Sequence, residues 1–139
     1  MISRSIQIMI AEDDLDDRLL IEDAFKENGI SLLTTSFAGD GDELLTLLKD
    51  RVELPDIIML DLNMPKKDGR EALKEIRANN LLKHIPIIIF TTSNAEEDIR
   101  LAYQEGGNTY ITKPSLFSEL VDTVGIIKRY WFEKAALVH

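Results

Sequence analysis

The chain has no cysteine among its 139 residues. That removes disulfides, thiolate metal sites and cysteine nucleophiles together, and makes no case for an oxidising compartment. Long apolar runs are missing too: none approaches the ~20 residues that a membrane helix needs. The start, Met1-Ile2-Ser3-Arg4-Ser5-Ile6-Gln7, is too polar for a signal peptide. A soluble, cytoplasmic chain is the expectation. Basic residues are in deficit, 16 Lys and Arg against 25 Asp and Glu, for a net charge of −9. Nucleic acid, whose affinity rests on Lys and Arg, is therefore not an expected partner, and neither is a membrane. Histidine is scarce: His84 and His139 have no metal-ligand spacing and suggest no serine-histidine-acid arrangement. Gly39-Asp40-Gly41 and Gly106-Gly107 lack the Lys-Ser/Thr of a phosphate-cradling loop. The acidic run from Glu12 to Asp17 lacks the glycine and terminal glutamate of an EF-hand.

What is present begins with Ile57-Ile58-Met59-Leu60-Asp61-Leu62-Asn63-Met64-Pro65, an apolar run broken by one carboxylate. A run this short and apolar, ended by Asn and Pro, reads as a strand buried on both faces of a parallel sheet, with Asp61 at its carboxyl end. Ile6 to Ala11 is a similar run, and Leu15, Leu19, Leu20, Ala24 and Phe25 then recur at helical spacing up to an Asn28-Gly29 cap. Leu32 to Phe37 predicts a second strand, and Leu44, Leu45, Leu47 and Leu48 a second helix. After the central strand, Asp68 caps a helix holding Ala72, Leu73 and Ile76. Ile87 to Phe90 is a fourth strand, followed by a helix with Ser93 or Asn94 as cap and Ile99, Leu101, Ala102 and Tyr103 within it. Thr109 to Thr112 is the fifth strand. A final helix is expected from about 116 to 136, with Phe117, Leu120, Val121, Val124, Ile127 and Trp131 on one stripe. Five strand-helix pairs with short connections demand right-handed crossovers and a doubly wound α/β sheet, in one domain spanning 1–139.

In such a sheet the strand carboxyl ends share one edge, so Glu12, Asp13, Asp61, Thr91 and Lys113 should converge there. Three crowded carboxylates either take up protons or bind a cation. With oxygen donors alone, a hard ion such as Mg²⁺ is the natural choice. A lysine and a hydroxyl facing that ion suit an anion, and phosphoryl oxygens fit both. Asp61 can then serve as nucleophile, because carboxylates form aspartyl-phosphates when cations offset the developing charge. Asp14, Asp16 and Asp17 read as first-turn acids favoured by the helix dipole, without chemistry.

Ala11-Glu12-Asp13-Asp14, Asp61-Leu62-Asn63-Met64-Pro65 with Asp68-Gly69, Thr91, and Tyr110-Ile111-Thr112-Lys113-Pro114 together resemble the receiver domain of bacterial two-component response regulators. Thr91-Thr92-Ser93 and Ile111-Thr112-Lys113-Pro114-Ser115 look like the single-domain regulators that partner bacterial phytochromes. The resemblance implies a flavodoxin-like sheet of strand order 2-1-3-4-5 flanked by five helices. It implies that Asp61 accepts a phosphoryl group from a histidine kinase or phosphotransfer protein. Asp13, Asp61 and the backbone carbonyl of Asn63 would hold Mg²⁺, with Glu12 contributing directly or through water. Lys113 would pair with the phosphoryl group, and its bond to Pro114 is expected to be cis. Thr91 and Tyr110 would form a switch pair, altering the face made by helix four, strand five and helix five.

The expected activity is that of a stand-alone phosphoacceptor switch, which catalyses only its own phosphorylation and dephosphorylation and is otherwise not an enzyme. The apolar extension through Tyr130-Trp131-Phe132 would either cover the partner in a homodimer or fold back onto its own domain. Glu12 and Thr92 depart from the family pattern: the first lengthens a metal ligand, and the second narrows access to Asp61. Two alternatives compete. A haloacid-dehalogenase-type phosphatase would want a second aspartate where Asn63 sits, and a binding module that signals without phosphate would have no use for Asp61, Thr91 and Lys113 together.

Overall fold

The computed structural model describes residues 5–51 and 53–138; the expectations on Met1 to Arg4 and on His139 lie outside them. Its elements run β1 (Ile8–Ala11), α1 (Leu15–Glu27), β2 (Thr35–Ala38), α2 (Gly41–Asp50), β3 (Ile57–Leu60), α3 (Gly69–Ala78), β4 (Ile87–Thr91), α4 (Glu96–Gln104), β5 (Thr109–Thr112) and α5 (Phe117–Ile127). All strand pairs are parallel, in the order β2-β1-β3-β4-β5. This is the flavodoxin-like arrangement that the resemblance implies, on the doubly wound sheet read from the strand-helix pairs.

The two-residue period of the strands divides the core. Met9, Ala11, Ile58, Leu60, Ile87 and Ile89 face α2 and α3, where they meet Leu44, Leu48, Leu73 and Ile76. Ile8, Ile10, Ile57, Met59, Ile88 and Phe90 face α1 and α5, where they meet Phe25, Val124 and Ile127. Three helices start with an aspartate whose side chain accepts an N–H of the first turn: Asp14 from Asp17, Asp40 from Glu43 and Asp68 from Glu71. Each of those caps lies in a loop leaving the carboxyl edge of the sheet, so helix starts and site residues share one rim.

Several local expectations are corrected. Leu32–Thr34 is a 3₁₀ turn and β2 starts only at Thr35, because Ser31 accepts the Leu33 N–H on its hydroxyl and both the N–H and the hydroxyl of Thr34 on its carbonyl. In α1, Ile21, Ala24 and Phe25 are buried, whereas Leu15, Leu19 and Leu20 face solvent. Helix α4 has no side-chain cap: Ala95 stands at its N-cap, and Ser93 is engaged elsewhere. Helix α5 does not reach 136. It widens into a π-helical turn over Lys128–Phe132 and ends at Glu133. The wide turn accommodates the bulky Trp131 and Phe132, which with Leu137 pack back onto the α1–α5 side of the core. No helix among the described residues is long and apolar enough to cross a membrane.

Candidate functional site

The ladder hydrogen bonds continue one residue past three strands, and this aligns the rim. The N–H of Glu12 donates to the carbonyl of Ala38 at 2.9 Å, that of Asp61 to Ala11 at 3.1 Å, and that of Lys113 to Thr91 at 2.7 Å. Backbone bonds alone thereby hold residues distant in sequence side by side. Glu12, Asp61 and Thr91 are buried, at 2%, 6% and 0% exposure; Asp13 and Asn63 are exposed.

The ammonium of Lys113 joins the cluster from β5. It donates to Glu12 Oε1, to Asp61 Oδ2 at 2.9 Å and to Asp17 Oδ2 at 3.0 Å. Burial pushes the Glu12 carboxyl up to about 7; its bond to Lys113 opposes the rise, and the nearby Asp61 charge adds to it. Burial also works against the Lys113 charge, but its bonds to Glu12 and Asp61 outweigh that and hold the ammonium above its usual range. The two shifts agree physically, because a site with more carboxylates than cations favours every proton it can keep.

Oxygens of Glu12, Asp13 and Asp61 lie within 4.8 Å of one another. Such an all-carboxylate donor set fits a hard divalent cation and offers nothing to a soft one. Asp61 Oδ1 also accepts the Asn63 N–H at 3.0 Å, which turns the backbone of Asn63 around the acid. The amide of Asn63 makes a long 3.5 Å contact to the Thr91 hydroxyl. The expected cis bond after Lys113 is not found: no cis peptide occurs among the described residues. Trans is the cheaper form before proline by about 0.5–1 kcal/mol, and Lys113 reaches all three acids from it.

Beyond Thr91, the tyrosine is tied to the loop that follows β4. Tyr110, half-buried, donates its hydroxyl to the Ser93 carbonyl at 2.8 Å. The Ser93 hydroxyl donates to Asp98 Oδ2 at 2.5 Å, and Arg70 donates to Asp98 Oδ1 at 2.9 Å. Those two bonds hold the Asp98 carboxyl below the usual range. Thr92 faces solvent. Thr91, Ser93 and Tyr110 therefore share one strip of structure that starts at the acid cluster and ends on α3 and α4.

Two residues of the site were not read from the sequence as part of it. Asp17 reads as a dipole acid of the first turn of α1, yet its carboxylate accepts from Lys113 at 3.0 Å; a dipole acid and a site acid look alike in sequence. Arg18 donates its Nε to the Glu12 carbonyl at 2.7 Å and lies over the Phe37 ring at 5.5 Å from its centroid; nothing in the local pattern announced it.

A family model described as the response regulator receiver domain matches residues 8–125. Response regulator Rcp1 of Synechocystis sp. is 36% identical over 94% of this chain and 91% of its own. Among solved structures, the phosphorylated cyanobacterial phytochrome response regulator RcpA superposes with a TM-score of 0.89 at 36% identity, covering 98% of this chain and all of that one. The Mn²⁺-bound form of Rcp1 gives 0.84 at 33% identity, covering 96% and 99%.

Proposed function

Because the chain belongs to the family of response regulator receiver domains, we infer that it accepts a phosphoryl group on Asp61 and relays the change to a protein-binding face. Receiver domains act in two-component signalling with histidine kinases or phosphotransfer proteins as partners, and such a protein is the donor here. The observation that carries this reading is the buried Asp61 carboxylate, bonded to Lys113 and within reach of the oxygens of Glu12 and Asp13.

In the transfer, an Asp61 oxygen bonds to phosphorus as the bond from phosphorus to the donor imidazole nitrogen breaks, and the electron pair leaves with that nitrogen. Lys113 gives up no proton; its charge faces the phosphoryl oxygens throughout. Glu12, Asp13, Asp61 and the Asn63 carbonyl would hold Mg²⁺, which supplies positive charge against those oxygens when bound. Phosphorylated RcpA and Mn²⁺-bound Rcp1 support an acceptor and a divalent site in this kind of chain. The Thr91 hydroxyl donates to a further phosphoryl oxygen, drawing the β4–α4 loop with it. Tyr110, anchored to Ser93 in that loop, follows and alters the face of α4, β5 and α5. The chain catalyses only its own phosphorylation and dephosphorylation.

The test is intact-protein mass after incubation with Mg²⁺ and acetyl phosphate. A labile adduct on the native chain and none on Asp61→Asn is the expected result; an equal adduct on both would remove Asp61 from the role.

A further inference from the structure

Lys113 has three N–H bonds, and three carboxylates take them: Glu12, Asp61 at 2.9 Å and Asp17 at 3.0 Å. Two of these acids have other duties. Glu12 and Asp61 belong with Asp13 to the cluster whose oxygens converge within 4.8 Å, whereas Asp17 stands outside it. When that cluster holds a cation, and when Asp61 carries a phosphoryl group, both acids lose negative charge toward Lys113 and their grip on the ammonium weakens. Asp17, outside the cluster, keeps its acceptor oxygens for the ammonium in both events.

Asp17 is also aimed from its own backbone. Its N–H donates to the Asp14 side chain at 3.0 Å, and the Asp14 N–H donates to Glu12 Oε2 at 3.1 Å. The first turn of α1 is thus tied to the rim of the sheet at one end and to Lys113 at the other. The Asp17 side chain is about one-third exposed, at 37%, against 11% for Lys113. Asp17 thus reaches the buried ammonium from the solvent side, opposite the acids of the sheet rim.

We propose that Asp17 is a positioning residue for phosphoryl uptake: it tethers the Lys113 ammonium from α1, so that the N–H bonds released by Glu12 and Asp61 turn onto a phosphoryl oxygen while the third stays on Asp17. The inference rests on Asp61 as the acceptor. Without the tether, the four-carbon side chain of Lys113 samples many rotamers and spends less time against the phosphoryl group. Asp14 and Asp16 still supply acid to the helix N-terminus when Asp17 is removed, so a loss of uptake would not come from the helix dipole alone.

The experiment compares the native chain, Asp17→Ala, Asp17→Asn and Asp16→Ala. Adduct formation from acetyl phosphate at saturating Mg²⁺ is followed by intact mass, and Mg²⁺ affinity by titration calorimetry. Asp17→Ala is expected to slow uptake about tenfold, within the range that misplacing a group costs. Its Mg²⁺ affinity should stay within about twofold, as expected for an acid outside the metal cluster. Asp17→Asn, which keeps an acceptor oxygen, should recover most of the rate, and Asp16→Ala should match the native chain. A native or faster rate in Asp17→Ala, a Mg²⁺ affinity that falls with the rate, no recovery in Asp17→Asn, or equal slowing in Asp16→Ala overturns the proposal. If the native chain itself takes no phosphoryl group, the acceptor reading fails and the tether with it. Native uptake with an indifferent Asp17→Ala removes the tether alone.

Discussion

Two cations sit at opposite edges of the sheet and are held in opposite ways. Lys113, at the carboxyl edge, is held by three carboxylates. Arg77, at the amino edge, donates to the carbonyls of Gly106 at 2.9 Å, Lys83 at 3.0 Å and Ile85 at 2.8 Å, and to Asn108 Oδ1 at 2.9 Å. All four partners of Arg77 are neutral, and Asn108 is itself fixed by the Ile87 N–H at 2.8 Å. Even the turn is shaped for it: Gly106 has φ +107, and a Cβ there would lie 2.8 Å from the Arg77 side chain. A rigid guanidinium fork on fixed carbonyls joins the end of α3 to the segments entering β4 and β5 and has nothing to exchange. An ammonium among carboxylates can trade each partner for another anion. Neutral partners make a staple, and charged ones make a site.

The sharpest way to break this contrast is Lys113→Ala. We expect phosphoryl uptake to fall about 10²–10³-fold, as when one charge-stabilising donor is removed, with Mg²⁺ affinity by calorimetry not reduced. Next in size, Arg77→Ala should cost about 1–3 kcal/mol in urea unfolding, because the part-buried carbonyls of Gly106 and Ile85 lose their donor, while uptake stays native. A large loss of uptake in Arg77→Ala would dissolve the division between staple and site. Third is pH. Folding raises the Glu12 carboxyl from 4.5 to about 7, so between those values the folded chain binds more proton than the unfolded one. The stability of the metal-free chain should therefore decline as pH rises through that window, by at most about 1.4 kcal/mol per unit. Thermal melts at pH 5 to 8 should show that slope, and Glu12→Gln should flatten it. The smallest effect is expected from Asp98→Asn, where partly exposed partners limit the loss to under about 1 kcal/mol; a melting temperature close to native would agree.

The rim was legible in the sequence because a parallel sheet forces its chemistry to the strand ends. Once Ile57–Leu60, Ile87–Phe90 and Thr109–Thr112 read as strands, Asp61, Thr91 and Lys113 had one place to go. Helix α1 was less legible, since Leu15, Leu19 and Leu20 follow a helical period and yet face solvent; periodicity finds an apolar stripe and does not say what covers it. Asp17 was hidden by a competing explanation, because an acid in a first turn is already accounted for by the helix dipole. The turn at Leu32–Thr34 was lost to β propensity, which Ser31 overrides with its hydroxyl and carbonyl. The end of α5 was half legible: Trp131 and Phe132 pack back onto the core, one of the two outcomes expected of the extension, but through a wide turn and not a helix continued to 136.

Gly69 gives the crevice a mechanical asymmetry. A Cβ there would lie 2.1 Å from the carbonyl oxygen of Asp61, and the Gly69 N–H donates to Leu62 at 3.0 Å. The start of α3 is thus seated directly on the main chain of Asp61, with no room for closer approach. Across the gap, α4 begins without a side-chain cap, and Ala102 is its only buried residue, the fewest of the five helices. The crevice works as a vice with one fixed jaw. Under the proposed acceptor role, a group carried on Asp61 would meet a fixed α3 jaw, and the travel would fall to the α4 side.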